Sequence, residues 1–390
     1  MCSVPKLNTR EGEREKGRKG ERERGRERKR SPFRPFPLSP FPPFPLSPFP
    51  PFPLSLLLAL LLLFVTGMIS ALPAAAQLIP SFGSDRAGTS GFQFLKIPVD
   101  ARAAALGETV AANAFDASAL FWNPALAAQT PSSQAGVSHT TYYADVQIDY
   151  LGVIYHLRSL TLGVSVQTLN SGEMDVTTEF EPFGTGETFR LFDFAAGLTV
   201  SQALTDLFSY GITAKYVRES VAGLVTSTAV FDLGIFYRIG TTGAQMAVVI
   251  RNFGLDGTPS GELPRTVIGQ ESIRIEDDFE SMTPPTTFSL GLTYNALRNN
   301  PRNALLLSGQ LNNPNDNAES FNVGIEYTWN SLLVLRGGYR FGIEEYDLPS
   351  FGIGLLLPNV VEAVQLRFDY GFTRLERLGA VHRVGLNLGL

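Results

Sequence analysis

Residues 231–239 read Phe231-Asp232-Leu233-Gly234-Ile235-Phe236-Tyr237-Arg238-Ile239. Large apolar side chains occupy one parity, and Asp232, Gly234, Phe236 and Arg238 occupy the other. Successive side chains on a strand point to opposite faces, so this segment has one apolar face and one face bearing a carboxylate and a guanidinium. In a soluble sandwich the charged face would be the outside. The pattern recurs from residue 134 to the C-terminus with charges held on one parity, and a secretory leader precedes it. That combination predicts a membrane wall whose apolar face meets lipid and whose charged face meets a lumen.

The N-terminus is set apart by composition. Residues 11–30 are a Glu/Arg/Lys/Gly tract, and residues 35–55 repeat a Pro-Phe-Pro-Leu-Ser-Pro-Phe-Pro unit. Neither can build a core, the first being solvated charge and the second lacking backbone donors. An apolar run over residues 54–65 leads into small residues ending Ala74-Ala75-Ala76, which reads as a secretory h-region with cleavage after Ala76. The run is short for a transmembrane anchor. The low-complexity stretch ahead of it is unusual for a leader and fits an over-called translation start. The expected organisation is a leader over 1–76, a plug over 77–130 and a barrel over 131–390.

Thirteen of the 32 Lys and Arg residues lie in those first 76 residues, against six of the 37 Asp and Glu, so the remaining 314 residues carry a net charge near −12. This argues against nucleic acid as a partner. The single cysteine, Cys2, lies in the leader, which excludes disulfides, zinc–cysteine sites and a lipidated cysteine anchor from the mature chain. No cofactor is expected. No later stretch approaches the length of a spanning helix, so a mature membrane span must be built from strands.

Alternating segments separated by turn signals fall at 134–142, 148–157, 160–169, 189–202, 208–221, 227–239, 244–252, 286–294, 303–311, 319–328, 332–340, 350–357, 364–372 and 381–390. The fourteen segments suit a closed antiparallel barrel with both termini on the periplasmic side of a bacterial outer membrane. The even-numbered connections are short. The odd-numbered ones include the two longest, 171–188 and 253–285, both rich in acids, so the outer rim should be acidic. One parity gives Asp193, Lys215, Asp232, Arg238, Arg251, Glu326, Arg336, Arg340, Arg367 and Asp369 as lumen charges. Buried charges need partners, so Arg–carboxylate pairs running across the barrel are expected.

Residues 91–128 do not alternate. Ala101-Arg102-Ala103-Ala104-Ala105-Leu106 is a short helix candidate ending at Gly107, and Asp116 can cap a second helical turn running to Trp122. Asn123-Pro124 should then stop the helix and force an extended or turn conformation. A compact Ala-rich element ahead of the first strand is well placed to sit inside the barrel as a plug.

These residues carry a family resemblance. Phe94-Leu95-Lys96-Ile97, Ala101-Arg102-Ala103, Leu106-Gly107 and Asp116-Ala117-Ser118-Ala119-Leu120-Phe121-Trp122-Asn123-Pro124-Ala125 resemble the N-terminal signature of the PorV/PorQ family of outer-membrane proteins. Tyr210-Gly211-Ile212-Thr213-Ala214-Lys215-Tyr216 followed by Phe231-Asp232-Leu233-Gly234 is similar to an internal block of that family. Asn123-Pro124-Ala125 is also similar to the hatch of the FadL fatty acid transporters, whose barrel has fourteen strands. The resemblance implies a plugged outer-membrane barrel in contact with lipid, attached to type IX-like secretion, with exported proteins and other secretion subunits as partners. It marks Phe94, Leu95, Ala101, Arg102, Trp122, Asn123, Pro124 and Ala125 as the plug motif. Barrels of this class usually end on an aromatic residue, and this chain ends on Leu390.

Three functions compete at this point. A secretion component would bind exported proteins at its loops or lumen. A FadL-like channel would take up hydrophobic small molecules and hold a lipid or detergent-like ligand in its lumen; Phe236 and Leu356 are among the few large apolar residues on the lumen parity, and Phe92, Phe94, Leu95, Phe121 and Trp122 could line a pocket, although packing of the plug against the wall is the stronger reading of these five. A lipase-type enzyme would need a nucleophile, base and orienter together. The three histidines, His139, His156 and His382, sit in no such motif, and a non-enzyme is expected.

Overall fold

The computed structural model describes residues 87–390 apart from 262, 266–272, 276–278, 344, 347, 362 and 363. The leader and its cleavage site therefore lie outside the described residues.

Fourteen antiparallel strands close into one barrel: β1 (Gln134–Thr141), β2 (Gln147–Leu157), β3 (Leu160–Asn170), β4 (Leu191–Thr205), β5 (Phe208–Val221), β6 (Leu224–Arg238), β7 (Ala244–Gly254), β8 (Thr287–Asn295), β9 (Ala304–Pro314), β10 (Ser320–Trp329), β11 (Leu333–Phe341), β12 (Ser350–Val361), β13 (Val364–Leu375) and β14 (Gly379–Gly389). Each pairs with its sequence neighbours. The wall closes where β14 pairs with β1, from Gln134↔Gly389 to Thr141↔His382. Closure removes every strand edge, which is what lets strands cross hydrocarbon without unpaired backbone groups.

The two ends differ. Connections 158–159, 206–207 and 330–332 at one end are short, while 171–190 and 255–286 at the other are long, each containing a small two-stranded hairpin. Among the acids predicted for the long-loop rim, Glu173, Glu179, Glu181, Glu187 and Glu280 are exposed, and Glu271, Glu276, Asp277 and Asp278 lie outside the described residues. The two-residue turn Ala222-Gly223 between β5 and β6 has φ of 49° and 89°. Positive φ at both positions matches the right-handed twist of the flanking strands.

On β6, Phe231, Leu233, Ile235, Tyr237 and the following Ile239 are all exposed on the outer wall, whereas Asp232 and Phe236 are fully buried. Asp232 does more than face inward. The ladder slips between Phe231↔Phe253 and Leu233↔Ile250, leaving Asp232 opposite a bulge in β7. Asn252 adopts φ 57° there, and Asp232 Oδ1 accepts its N–H at 2.7 Å. The carboxylate thus takes up the backbone donor that the bulge leaves free.

The lumen is filled. Residues 91–130 run inside the wall as a 3-10 turn (Gln93–Lys96) and three short helices, α1 (Ala101–Ala105), α2 (Ala119–Trp122) and α3 (Pro124–Ala127). Asp100 caps α1 by accepting from Ala103 N. The second turn is entered by Asp116 Oδ1 accepting from Ser118 N at 2.8 Å. Asn123 is extended, as expected before proline, but Pro124 does not simply end the helix: it opens α3 at its first turn, with the Asn123 side chain capping Ala125 N. Proline's missing N–H costs nothing at that position. Helix α1 lies against β11–β14 and α3 against β4–β6, so the plug spans the lumen from one side of the wall to the other.

A plug locked by ion pairs as the candidate functional site

One run of side chains ties plug to wall and back again. Arg102 on α1 donates to Glu326 on β10 through Nε (2.8 Å) and Nη2 (3.0 Å). Glu326 also accepts from Arg336 Nε at 2.6 Å, and Arg336 Nη1 reaches Asp369 Oδ1 at 2.7 Å. Arg367 Nε meets the other oxygen of Asp369 at 2.7 Å, and Arg367 Nη2 pairs with Asp116 of the plug. Three cations alternate with three carboxylates, so each buried charge has an opposite neighbour, the condition under which burial of ions is tolerable. For Asp116, burial works to raise the pKa, but Arg367 and Arg102 overcome it and hold the carboxyl well below the usual range.

This corrects the expectation of pairs running across the barrel. Wall charges meet neighbouring strands or the plug, because the plug occupies the space through which opposite walls would have to reach. Lys215 on β5 pairs with Asp232 on β6 at 2.5 Å, and Arg340 on β11 pairs with Glu108 of the plug at 2.8 Å. Arg238 sits half-buried at the short-turn end, with Asp206 O and Gln129 Oε1 at 3.3 and 3.5 Å. Asp193 is buried opposite Glu219. Arg251 is buried with its guanidinium over the rings of Trp122 (4.8 Å) and Phe121 (5.3 Å).

The Asn123-Pro124-Ala125 corner rests on bare wall. Gly211 and Gly234 face each other across β5 and β6. A Cβ on Gly234 would lie 2.0 Å from Asn123 Oδ1, and one on Gly211 would lie 2.5 Å from the Pro124 carbonyl carbon. Glycine is required here because the plug backbone packs directly on the strand backbone. Asn123 Nδ2 completes the corner by donating to Ala111 O at 2.7 Å. Trp122 Nε1 donates to Asp100 Oδ1 at 2.6 Å. Burial, with Asp116 nearby, pushes Asp100 up to about 6.

Of the predicted plug motif, Phe94 and Leu95 pack with Phe92 against Ile148, Leu169, Val217 and Val230 of the wall. Ala101 packs on Gly371, and Trp122 and Ala125 belong to a second apolar cluster with Leu106, Leu120, Phe121, Tyr150 and Phe236. The aromatic residues considered as a pocket are thus divided between two packed clusters. The reading of charges by strand parity missed the plug acids Asp100, Glu108 and Asp116, which lie in non-alternating sequence, and Arg383, which is buried on β14. Parity beside Val384 and Leu386 was the available signal for Arg383. Glycines facing each other on adjacent strands were the signal for the plug's footprint.

The histidines lie apart from this network. His139 Nδ1 meets Asp149 at 2.7 Å on the exposed outer face, and His382 meets the Tyr370 hydroxyl at 2.8 Å, also outward. His156 lies near the short-turn end between Thr130 and Thr161. Ser138, next to His139, points inward and donates to Val99 O. Among the described residues no group of His, Cys, Asp and Glu could hold a metal ion.

Known proteins agree with this architecture. Residues 82–239 match the family model of the type IX secretion system protein PorV. The PorV match thus covers the plug and strands β1–β6, including Asn123-Pro124-Ala125 and the facing glycines on which it rests. No curated protein sequence matches the chain. Among solved structures, the toluene transporter TbuX of Ralstonia pickettii is similar at 12% identity and a TM-score of 0.51, over 77% of this chain and 98% of that one. The toluene transporter TodX of Pseudomonas putida is similar at 14% identity and a TM-score of 0.52, over 74% and 96%. At such identities the likeness shows the fold alone.

Proposed function

We propose that this barrel works in type IX-like protein export, as a plugged outer-membrane subunit that binds exported proteins at its long-loop end, with both termini in the periplasm. The PorV match over the plug and first six strands carries this reading. Two features of the molecule support it. The plug is pinned to β10, β11 and β13 by buried ion pairs and rests backbone to backbone on β5 and β6, which suits a platform better than an open pore. The loop 171–190 presents Phe180 and Phe183 fully to solvent, 81% and 99% exposed, and exposed aromatics are the kind of anchor protein interfaces use.

Affinity capture of the detergent-extracted protein, followed by mass spectrometry of bound proteins and lipids, tests the proposal. Recovery of exported proteins sharing a C-terminal domain, reduced by F180A/F183A, is the expected result. Enriched lipid with no protein partner would favour uptake of hydrophobic small molecules. That second reading draws on one observation, an apolar groove of about 500 Å³ on the outer wall, lined by Val137, Leu151, Val166, Phe368, Val384 and Leu386.

A further inference from the structure

Above the plug, at the long-loop end, a chamber of about 340 Å³ opens between the plug and the connections that follow β1, β9, β11 and β13. Lys96, Glu108, Arg251 and Arg340 reach into it, Tyr142 and Tyr346 form aromatic walls, and Ile343, Leu375 and Leu378 add apolar surface. Its buried charges do not all pair off among the described residues. Lys96 is paired with Asp316 at 2.8 Å and Arg340 with Glu108 at 2.8 Å. Glu345 sits at the rim, exposed to solvent. Arg251 has no carboxylate within ion-pair distance among the described residues, and its Nη1 is buried with no hydrogen-bond partner. Asp232, on the neighbouring strand, is held by Lys215. Arg340 likewise keeps Nε and Nη2 unpartnered, with its guanidinium 4.0 Å from the Tyr346 ring centre.

A buried guanidinium with open donors is expensive unless something supplies acceptors. The rings of Trp122 and Phe121 lie under the Arg251 guanidinium but offer its N–H groups no lone-pair acceptor. We propose that the chamber is a binding site for a small organic monocarboxylate, preferentially one with an aromatic body. Arg251, the lining cation without an ion pair among the described residues, matches one negative charge. The planar two-oxygen head of a carboxylate matches a guanidinium edge, and the tyrosines and aliphatic side chains match a ring. The volume admits a ligand of benzoate size and excludes a folded peptide segment. This site is separate from the export role and stands or falls without it.

The full chain in an uncharged detergent provides the test. It contains two tryptophans, and W329F, on the exposed outer wall, leaves Trp122 beneath Arg251 as the fluorescent reporter. Benzoate should perturb Trp122 emission and bind about tenfold or more tightly than benzamide, its uncharged isostere, the difference a charge-assisted hydrogen bond supplies. R251Q should abolish that preference while the barrel keeps its heat-modifiable migration in gels. Equal affinity for benzoate and benzamide, an absence of any benzoate response, or displacement of benzoate by equimolar inorganic phosphate would each overturn the proposal in the protein with Arg251 intact. A benzoate preference surviving in folded R251Q would overturn it too.

Discussion

Arg102 on the plug and Glu326 on the wall meet through two parallel hydrogen bonds, and Glu326 is at the same time held by Arg336 from the neighbouring strand. Glu326 is therefore the point where the plug's position is written onto the barrel. It is buried, so removing a partner leaves charge without compensation.

R102A should loosen the plug by about 3 kcal/mol, the low end for breaking a buried pair, since Arg336 still neutralises Glu326. Urea titration followed by Trp122 emission would show it. Protease access to residues 91–130 should rise with the barrel intact. R102M/E326M should recover part of the loss.

Ala at Gly234 or Gly211 should act as a wedge. The added methyl would collide with Asn123 or Pro124, costing about 1–3 kcal/mol as overpacking does. G309A is the control, since its nearest neighbour would be the Phe321 ring at 3.8 Å. Parallel thermal melts of the three variants should separate G309A from the other two.

N123A removes the α3 cap and the hydrogen bond to Ala111 O together, and about 2 kcal/mol should be lost. N123D keeps the cap oxygen but loses the donor to Ala111 and adds a buried charge. It should be at least as damaging in the same melt.

Acidification should tighten the plug around Asp100 before it weakens Asp116. Burial raises Asp100 to about 6, above its unfolded value near 3.8, so between those limits the folded state binds the extra proton. Its contribution to stability is fully present below the unfolded value and is lost as pH rises through about 6. Asp116 runs the other way: its carboxyl is depressed by Arg367 and Arg102, so its contribution is present above the unfolded value and fades only in strong acid. Stability measured from pH 7.5 down to 4.5 should rise by an amount that D100N removes. A D100N profile identical to that of the unmodified protein would refute this assignment.

The wall was readable from residues 134–390 because a strand's side-chain period is two, and lipid tolerates only apolar groups on the outer parity. Phe231, Leu233, Ile235 and Tyr237 had to share one face, and Asp232 the other, whatever the rest of the chain did. Lumen charges on regular strands followed by the same rule. The plug acids did not, since residues 91–128 have no alternation to assign their direction: Glu108 looks like an ordinary loop acid and Asp116 like a helix cap alone until their arginines are found.

Sequence by itself therefore determined a fourteen-strand wall, its inner and outer faces, its short-turn and long-loop ends and the existence of a compact element ahead of it. Only tertiary structure decided which charges meet. Parity states which face a side chain takes but not what lies opposite, and an ion pair is decided over a few ångströms. The alternation over residues 231–239 is enough to make Asp232 an inward carboxylate. That it closes a bulge at Asn252 and holds Lys215, leaving Arg251 unpaired beside the chamber, depends on how β7 packs beside β6 and on where the plug places Phe121 and Trp122.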